Sequence, residues 1–165
     1  MSMQPTPPEP VYYFDTNALW KFYCDQKGDL NVRRLVARSP SQVLVSPLTV
    51  VEFVGVLMEY YRKRLLKRTQ VNAIVKRLRR DVGKVNPHRP FRIVDVPAAS
   101  FREAESILLL HAGDCAIQTI DALHLAIAIR LNVPPGAPVV FVTSDHALQH
   151  VAQKRDLCCY NPKVT

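Results

Sequence analysis

Apolar residues fall in short blocks along this chain, and the blocks carry two different periods. Val11-Tyr12-Tyr13-Phe14 is a continuous apolar run closed by Asp15-Thr16-Asn17, which predicts a buried strand, a turn and a helix start. Ala18 to Tyr23 continues as a short helix, and Leu30 to Ala37 predicts another, stopped by Ser39-Pro40. Val43-Leu44-Val45 is the second predicted strand. Ser46 then supplies an N-cap and Pro47 a first helical residue for a helix running to about Lys67. A further helix is predicted from Thr69 to about Val82, with Val71, Ile74, Val75 and Leu78 at helical spacing, and Gly83 to Pro90 reads as a loop. Phe91 to Val96 is the third predicted strand. Pro97 opens a helix ending near Gly113, and Thr119 caps the next, through Leu131-Asn132. Val139 to Val142 is wholly apolar, as a central parallel strand should be. Ala147 to Lys154 predicts a short helix and Leu157 to Tyr160 an edge strand.

Strands alternating with helices predict a three-layer α/β/α sandwich around a central, mostly parallel sheet of four to five strands. In such a sheet the helices return antiparallel to the strands, so strand ends and helix starts share one edge. That edge collects four acids. Asp15 and Asp145 each follow a strand, Asp121 opens a helix, and Glu52 lies in the second turn of a helix entered from a strand end. Ligands of open α/β sheets bind in the crevice at that edge.

Each acid also has a plain structural explanation. Asp15 and Asp145 suit helix N-caps, Asp121 complements a helix dipole, and Glu52 could share a polar stripe with Glu59, paired to an arginine. Glu52 interrupts the apolar run from Leu48 to Met58, where an ionised carboxylate needs a cation or a cage of donors. Taken together, four converging carboxylates call for a divalent cation. Oxygen-only ligation selects Mg²⁺ or Mn²⁺ over Zn²⁺. His124 follows Asp121 by one helical step and reads either as a buried core histidine or as a hydrogen-bond partner of a carboxylate. His146 is the more exposed histidine and a weaker candidate for a phosphate contact.

At 165 residues the chain is expected to form one domain, over 11–165, behind a Pro-rich flexible tail over 1–10 with four prolines and no secretory signal. No apolar run reaches the roughly 18 residues that span a bilayer, so no membrane partner and a cytoplasmic location are expected. Cys24, Cys115, Cys158 and Cys159 lack the spacing of a zinc site and read as buried free thiols.

Charge changes the picture further. The chain carries a net +8, yet residues 62–92 alone hold twelve Lys/Arg against the single acid Asp81, which leaves the remainder slightly acidic. A solvated helix face normally mixes signs, so a block of one sign predicts a polyanion partner. Arg62, Lys63, Arg64, Arg77, Arg79 and Arg80 are its candidate phosphate-binding residues, and they become candidate RNA-binding residues with the resemblance given below. A carboxylate–metal site in so basic a chain points to phosphodiester hydrolysis of nucleic acid.

The segments Phe14-Asp15-Thr16-Asn17, Val50-Val51-Glu52-Phe53, Thr119 to Ala126 and Val142-Thr143-Ser144-Asp145 resemble the PIN-domain ribonucleases, closest to VapC-like toxins of toxin–antitoxin pairs. The acids are separated by 37, 69 and 24 positions, an order and spacing that suit the family, and the resemblance covers about residues 11–160. It implies a PIN-like fold and an endoribonuclease using Mg²⁺ or Mn²⁺. Asp15, Glu52, Asp121 and Asp145 would be its catalytic, metal-binding acids, with Thr16, Asn17 and Thr143 supporting them. It also implies an RNA substrate, a homodimer and a cognate antitoxin. The density of basic charge after Glu52 departs from the family.

Rival readings are a non-catalytic RNA-binding protein of the same fold and a PIN nuclease of RNA processing without an antitoxin. A receiver domain would need an acidic pair after its first strand and a Lys after its last main strand. A haloacid-dehalogenase-type phosphatase would need D-x-D at Asp15-Thr16-Asn17, and the sequence supplies neither pattern.

Overall fold

A computed structural model describes residues 8–39, 42–84 and 88–164. Its strands are β1 (Val11–Phe14), β2 (Val43–Val45), β3 (Val82–Gly83), β4 (Phe91–Ile93), β5 (Val139–Val142) and β6 (Cys158–Tyr160). Its helices are α1 (Thr16–Tyr23), α2 (Asp29–Arg38), α3 (Pro47–Arg62), α4 (Arg68–Asp81), α5 (Ala99–His111), α6 (Thr119–Ile129) and α7 (His146–Lys154). The strands form one sheet in the order β3-β4-β2-β1-β5-β6, and every pairing is parallel.

The side-chain period of a strand builds the layers. Tyr13, Leu44 and Phe141 point to one face, where they join Ile107, Leu125 and Val151 from α5, α6 and α7. Their chain neighbours Phe14, Val43, Val45 and Val142 point to the other face, against Trp20, Phe53, Leu57 and Val71 from α1, α3 and α4. Both faces are covered, which is why the central strands read as unbroken apolar runs. Across one face a buried carboxylate, Glu103 of α5, binds Arg130 after α6 and Arg155 after α7, tying three segments together.

The sheet has six strands where four to five are predicted. The addition is β3, which takes the expected last helical residue, Val82, and the first expected loop residue, Gly83, and pairs Val82 with Phe91. Two residues carry no periodicity, so pairing alone reveals such a strand. The helix expected to reach Lys67 ends at Arg62. Leu65 N donates to Tyr60 O at 2.9 Å and Arg64 N to Tyr61 O at 3.0 Å, while Arg64 sits at φ 58°. That is a Schellman closure with arginine where glycine is usual, so the sequence offers no stop signal. β4 is shorter than predicted. The four cysteines are free but not buried: Cys158 is exposed and the others are half-buried. Residues 1–7 of the expected tail lie outside the described residues. Among the described residues, no helix is long and apolar enough to cross a membrane.

Candidate active site

Parallel register fixes the first pair of acids. Phe14 lies opposite Val142, and Asp15 N donates to Val142 O at 3.3 Å, so Asp15 begins where β1 and β5 end together. The Asp15 side chain is buried. Its Oδ1 accepts from Ala18 N at 2.7 Å and caps α1, and the Thr143 hydroxyl supplies a further hydrogen bond. Burial pushes the Asp15 carboxyl up to about 6, and the Glu52 charge adds to the rise. Thr143, the Ala18 amide and His124 oppose it without cancelling it. Asp145 follows β5 and is exposed, with Oδ1 accepting from Leu148 N at 2.9 Å to cap α7. Its own amide donates to Thr143 Oγ1 at 3.1 Å, so Thr143 touches two of the four acids.

Asp121 is the third residue of α6. Its Oδ2 accepts from Gln118 N at 2.8 Å, so Gln118 rather than Thr119 holds the cap position. Burial raises the Asp121 carboxyl, the Gln118 amide lowers it, and the charges of Asp145 and Glu52 raise it again. Glu52 is half-buried on α3. Burial would raise it too, but hydrogen bonds from His124 and Thr16 outweigh that and hold it below the ordinary carboxylate range. The capping explanations therefore hold geometrically for three acids. A cap engages one carboxylate oxygen and does not by itself occupy the other.

His124 is the residue whose role the sequence left open. It is buried, and its Nε2 lies 2.9 Å from Glu52 Oε2. Its Nδ1 lies 3.0 Å from the Tyr13 hydroxyl, which is 2.9 Å from Ser46 Oγ. Ser46 Oγ is 3.1 Å from Thr49 Oγ1, which donates to Phe14 O at 3.4 Å. An ionised Glu52 accepts only, so Nε2 must carry a proton whichever way the Tyr13 hydroxyl turns. The chain thus supports Glu52 from below through Tyr13, a residue no sequence signal marks because it reads as plain strand core. Glu59, expected on the same stripe, pairs with Lys63 instead.

Among the described residues, no three carboxylate, thiol or imidazole groups stand close enough to cage an ion directly. The four acids share an edge and feel one another electrostatically without forming a closed cage. That suits an ion which keeps several waters and takes one or two carboxylates plus substrate phosphate, as Mg²⁺ does. Asn17 is exposed at the same turn, with Oδ1 accepting from Lys21 Nζ at 2.6 Å.

The basic block is less uniform than its sequence. Arg77 lies 5.1 Å from the Phe22 and Tyr23 ring centroids and 3.4 Å from Asp81, an anchor of α4 onto α1. Arg80 also pairs with Asp81, at 3.1 Å. Arg62, Arg64 and Arg79 are exposed and make no ion pair among the described residues. Arg62 lies about 15 Å along α3 from Glu52.

Residues 12–154 match the PIN domain. The chain belongs to the PIN domain family. This is a family of nucleases, and the parallel sheet flanked by helices agrees with a PIN-like fold. No curated protein sequence matches the chain. Solved PIN structures similar to it include FitAcB from Neisseria gonorrhoeae, with a TM-score of 0.65 and 21% identity over 94% of this chain and 100% of that one. VapBC2 from Rickettsia felis, bound to a DNA fragment from its promoter, gives 0.62 and 16% over 92% and 98%. VapC20 from Mycobacterium tuberculosis gives 0.58 and 19% over 85% and 94%. At these identities the likeness is one of fold.

Proposed function

We propose that this PIN protein is an endoribonuclease dependent on Mg²⁺ or Mn²⁺ that hydrolyses RNA phosphodiester bonds, and that it is the toxin of a type II toxin–antitoxin pair. The observation that carries the reading is Asp15. A carboxyl group buried at the end of the central strand, pushed up to about 6 by burial and by the charge of Glu52, is costly to ionise unless a cation offsets it. Asp15, Glu52, Asp121 and Asp145 are the acids that would hold the ion, one or two of them directly and the others through its waters. When bound, the ion lowers the pKa of a coordinated water and offsets charge on the scissile phosphate. The chain's own part is orientation. Thr143 spaces Asp15 from Asp145, and His124 with Thr16 keeps Glu52 ionised and fixed. In the test, purified protein cleaves RNA with Mn²⁺ or Mg²⁺ and stops in excess EDTA. Cleavage that persists in EDTA, or none with either ion, removes the proposal.

The support from Tyr13 gives a second test. Tyr13→Phe takes away the hydroxyl at His124 Nδ1 and frees the imidazole to turn. Mn²⁺ affinity, read by titration calorimetry, should weaken about tenfold, the usual scale for a partner behind a metal-binding side chain. An unchanged affinity would detach His124 from the ion's site.

For the substrate, Arg62, Arg64 and Arg79 are the candidate contacts that make no ion pair among the described residues. Neutralising all three should flatten the plot of log affinity against log salt by about 2, near 0.7 per lost single-strand phosphate contact. Neutralising Arg77 alone should move it little, since its guanidinium is already engaged. An unchanged slope in the triple variant would assign the block to something other than phosphate.

The partners implied are a second copy and an antitoxin. Among proteins of similar fold, one from Klebsiella pneumoniae is described as a toxin–antitoxin complex, VapBC2 and the Salmonella typhimurium VapBC are described as bound to DNA, and VapC20 is described as a toxin cleaving the sarcin-ricin loop. Most of α3's apolar side chains are at least half-buried, and the uncovered apolar surface includes Phe101, Leu109 and Leu110 of α5 as well as Val51, Tyr61 and Leu65 on and just after α3. Light scattering should give a dimer mass. A monomer near 18.7 kDa at micromolar concentration would leave that surface to the antitoxin alone. A cytoplasmic location belongs with this proposal.

A further inference from the structure

A cleft of about 250 Å³ opens directly beside Glu52, between α1, the turn after it and α3. It shares Thr16 and Glu52 with the acid edge, and its other walls are Asn17, Trp20, Gln26, Val56 and Tyr60. None of its lining residues is basic. Glu52 is the one charged lining residue, and the Lys21 ammonium is engaged by Asn17, so the cleft suits a neutral group.

The walls say which neutral group. Trp20 and Tyr60 lie 4.7 Å apart at 44°, and Phe53 backs Trp20 at 5.5 Å, so the aromatic side is held rigid by the core. Tyr60 is half-buried and forms the accessible part of that side. The opposite chemistry is amide. Lys21, fully buried in α1, holds Asn17 Oδ1 at 2.6 Å, which fixes the amide and leaves its NH₂ as the unengaged end. Gln26 is exposed, and its side chain makes no hydrogen bond among the described residues. A rigid aromatic pair in one lining with a fixed donor and an adaptable amide fits a planar heterocycle with hydrogen-bonding edges.

We propose that this cleft is a nucleobase subsite, which receives one unstacked base of the RNA strand next to the phosphate held at the acid edge. The inference rests on the nuclease reading and adds to it a determinant of sequence preference. It also requires the strand to be unpaired at that position, because a base inside a duplex cannot enter a cleft.

The experiment uses the full chain with Mg²⁺ and a single-stranded RNA whose cut position has been mapped. One abasic residue is walked along the RNA, and kcat/KM is measured at each step. At one fixed position beside the cut, loss of the base should lower kcat/KM by about tenfold or more, the scale of one base–aromatic stack. Tyr60→Ala should erase that penalty, Tyr60→Phe should keep it, and Gln26→Ala should narrow the differences among the four bases there. If Tyr60→Ala does not fold, Gln26→Trp replaces it. At an exposed position it fills the cleft, and it should slow intact RNA to the abasic rate without slowing abasic RNA. RNA that is cut with equal penalties at every position overturns the subsite and leaves the nuclease standing, as does a penalty that survives the cleft variants. RNA that is neither cut with Mg²⁺ or Mn²⁺ nor bound, with 2-aminopurine fluorescence as the metal-free readout, overturns both.

Discussion

Asp15→Asn should abolish Mg²⁺- and Mn²⁺-dependent RNA cleavage while leaving the fold intact. Asparagine keeps the oxygen that accepts from Ala18 N, so the cap on α1 survives. What disappears is one negative charge at the point where β1, β5 and the crevice meet. Loss of one preorganised electrostatic group costs on the order of 10²- to 10³-fold in rate, and loss of a metal-binding acid should reach at least the upper part of that range. Glu52→Gln should behave similarly, since glutamine can still accept from Thr16 and His124 but carries no charge. The readout is cleavage under single-turnover conditions, beside circular dichroism to confirm folding. Cleavage at the wild-type rate by folded Asp15→Asn would dismiss the four-acid mechanism.

The survival of the cap in that variant bears on why these acids were ambiguous in sequence. Asp15 and Asp145 are caps, Asp121 closes a capping box, and none of this conflicts with a catalytic role. Local geometry uses one oxygen of each carboxylate, and only the tertiary arrangement decides what the other meets. The alternating blocks of the sequence were enough to place strand ends and helix starts on one edge, because parallel pairing leaves no other option. They were not enough for β3, which exists only through its pairing with β4, nor for the end of α3, closed by an arginine in the left-handed region. The support of Glu52 was half legible. The step from Asp121 to His124 marks the histidine, but Tyr13 acts through a hydroxyl on a side chain that its strand pattern assigns wholly to core. Charge density misled in part. Arg77 counts toward a basic block in sequence, whereas in the fold its guanidinium lies over Phe22 and Tyr23 and is spent on packing.

The metal-free protein should lose stability as pH rises from about 4 to 6, and Asp15→Asn should remove much of that loss. The Asp15 carboxyl is raised from 3.8 to about 6 in the fold, so between those values the native state holds a proton that the unfolded chain has released. Stability is then fully present below 3.8, declines through the window and stays low above about 6. Two pH units correspond to at most about 3 kcal/mol, and relaxation around a crevice reduces that to roughly 2 kcal/mol. Asp121 is raised as well and adds to the same trend, while Glu52 is lowered and opposes it, losing stability only as pH falls. The difference between wild type and Asp15→Asn isolates the Asp15 contribution. In EDTA the two should be nearly equal at pH 4, and at pH 7.5 the variant should be more stable by about 2 kcal/mol. Adding Mg²⁺ at pH 7.5 should stabilise wild type and leave the variant nearly unmoved, because the ion binds the ionised carboxylate of the native state. Urea unfolding at both pH values, with and without Mg²⁺, measures all of this. A variant no more stable than wild type at pH 7.5 in EDTA would mean that Asp15 bears no unmet charge, and the strongest argument for a cation at that edge would go with it.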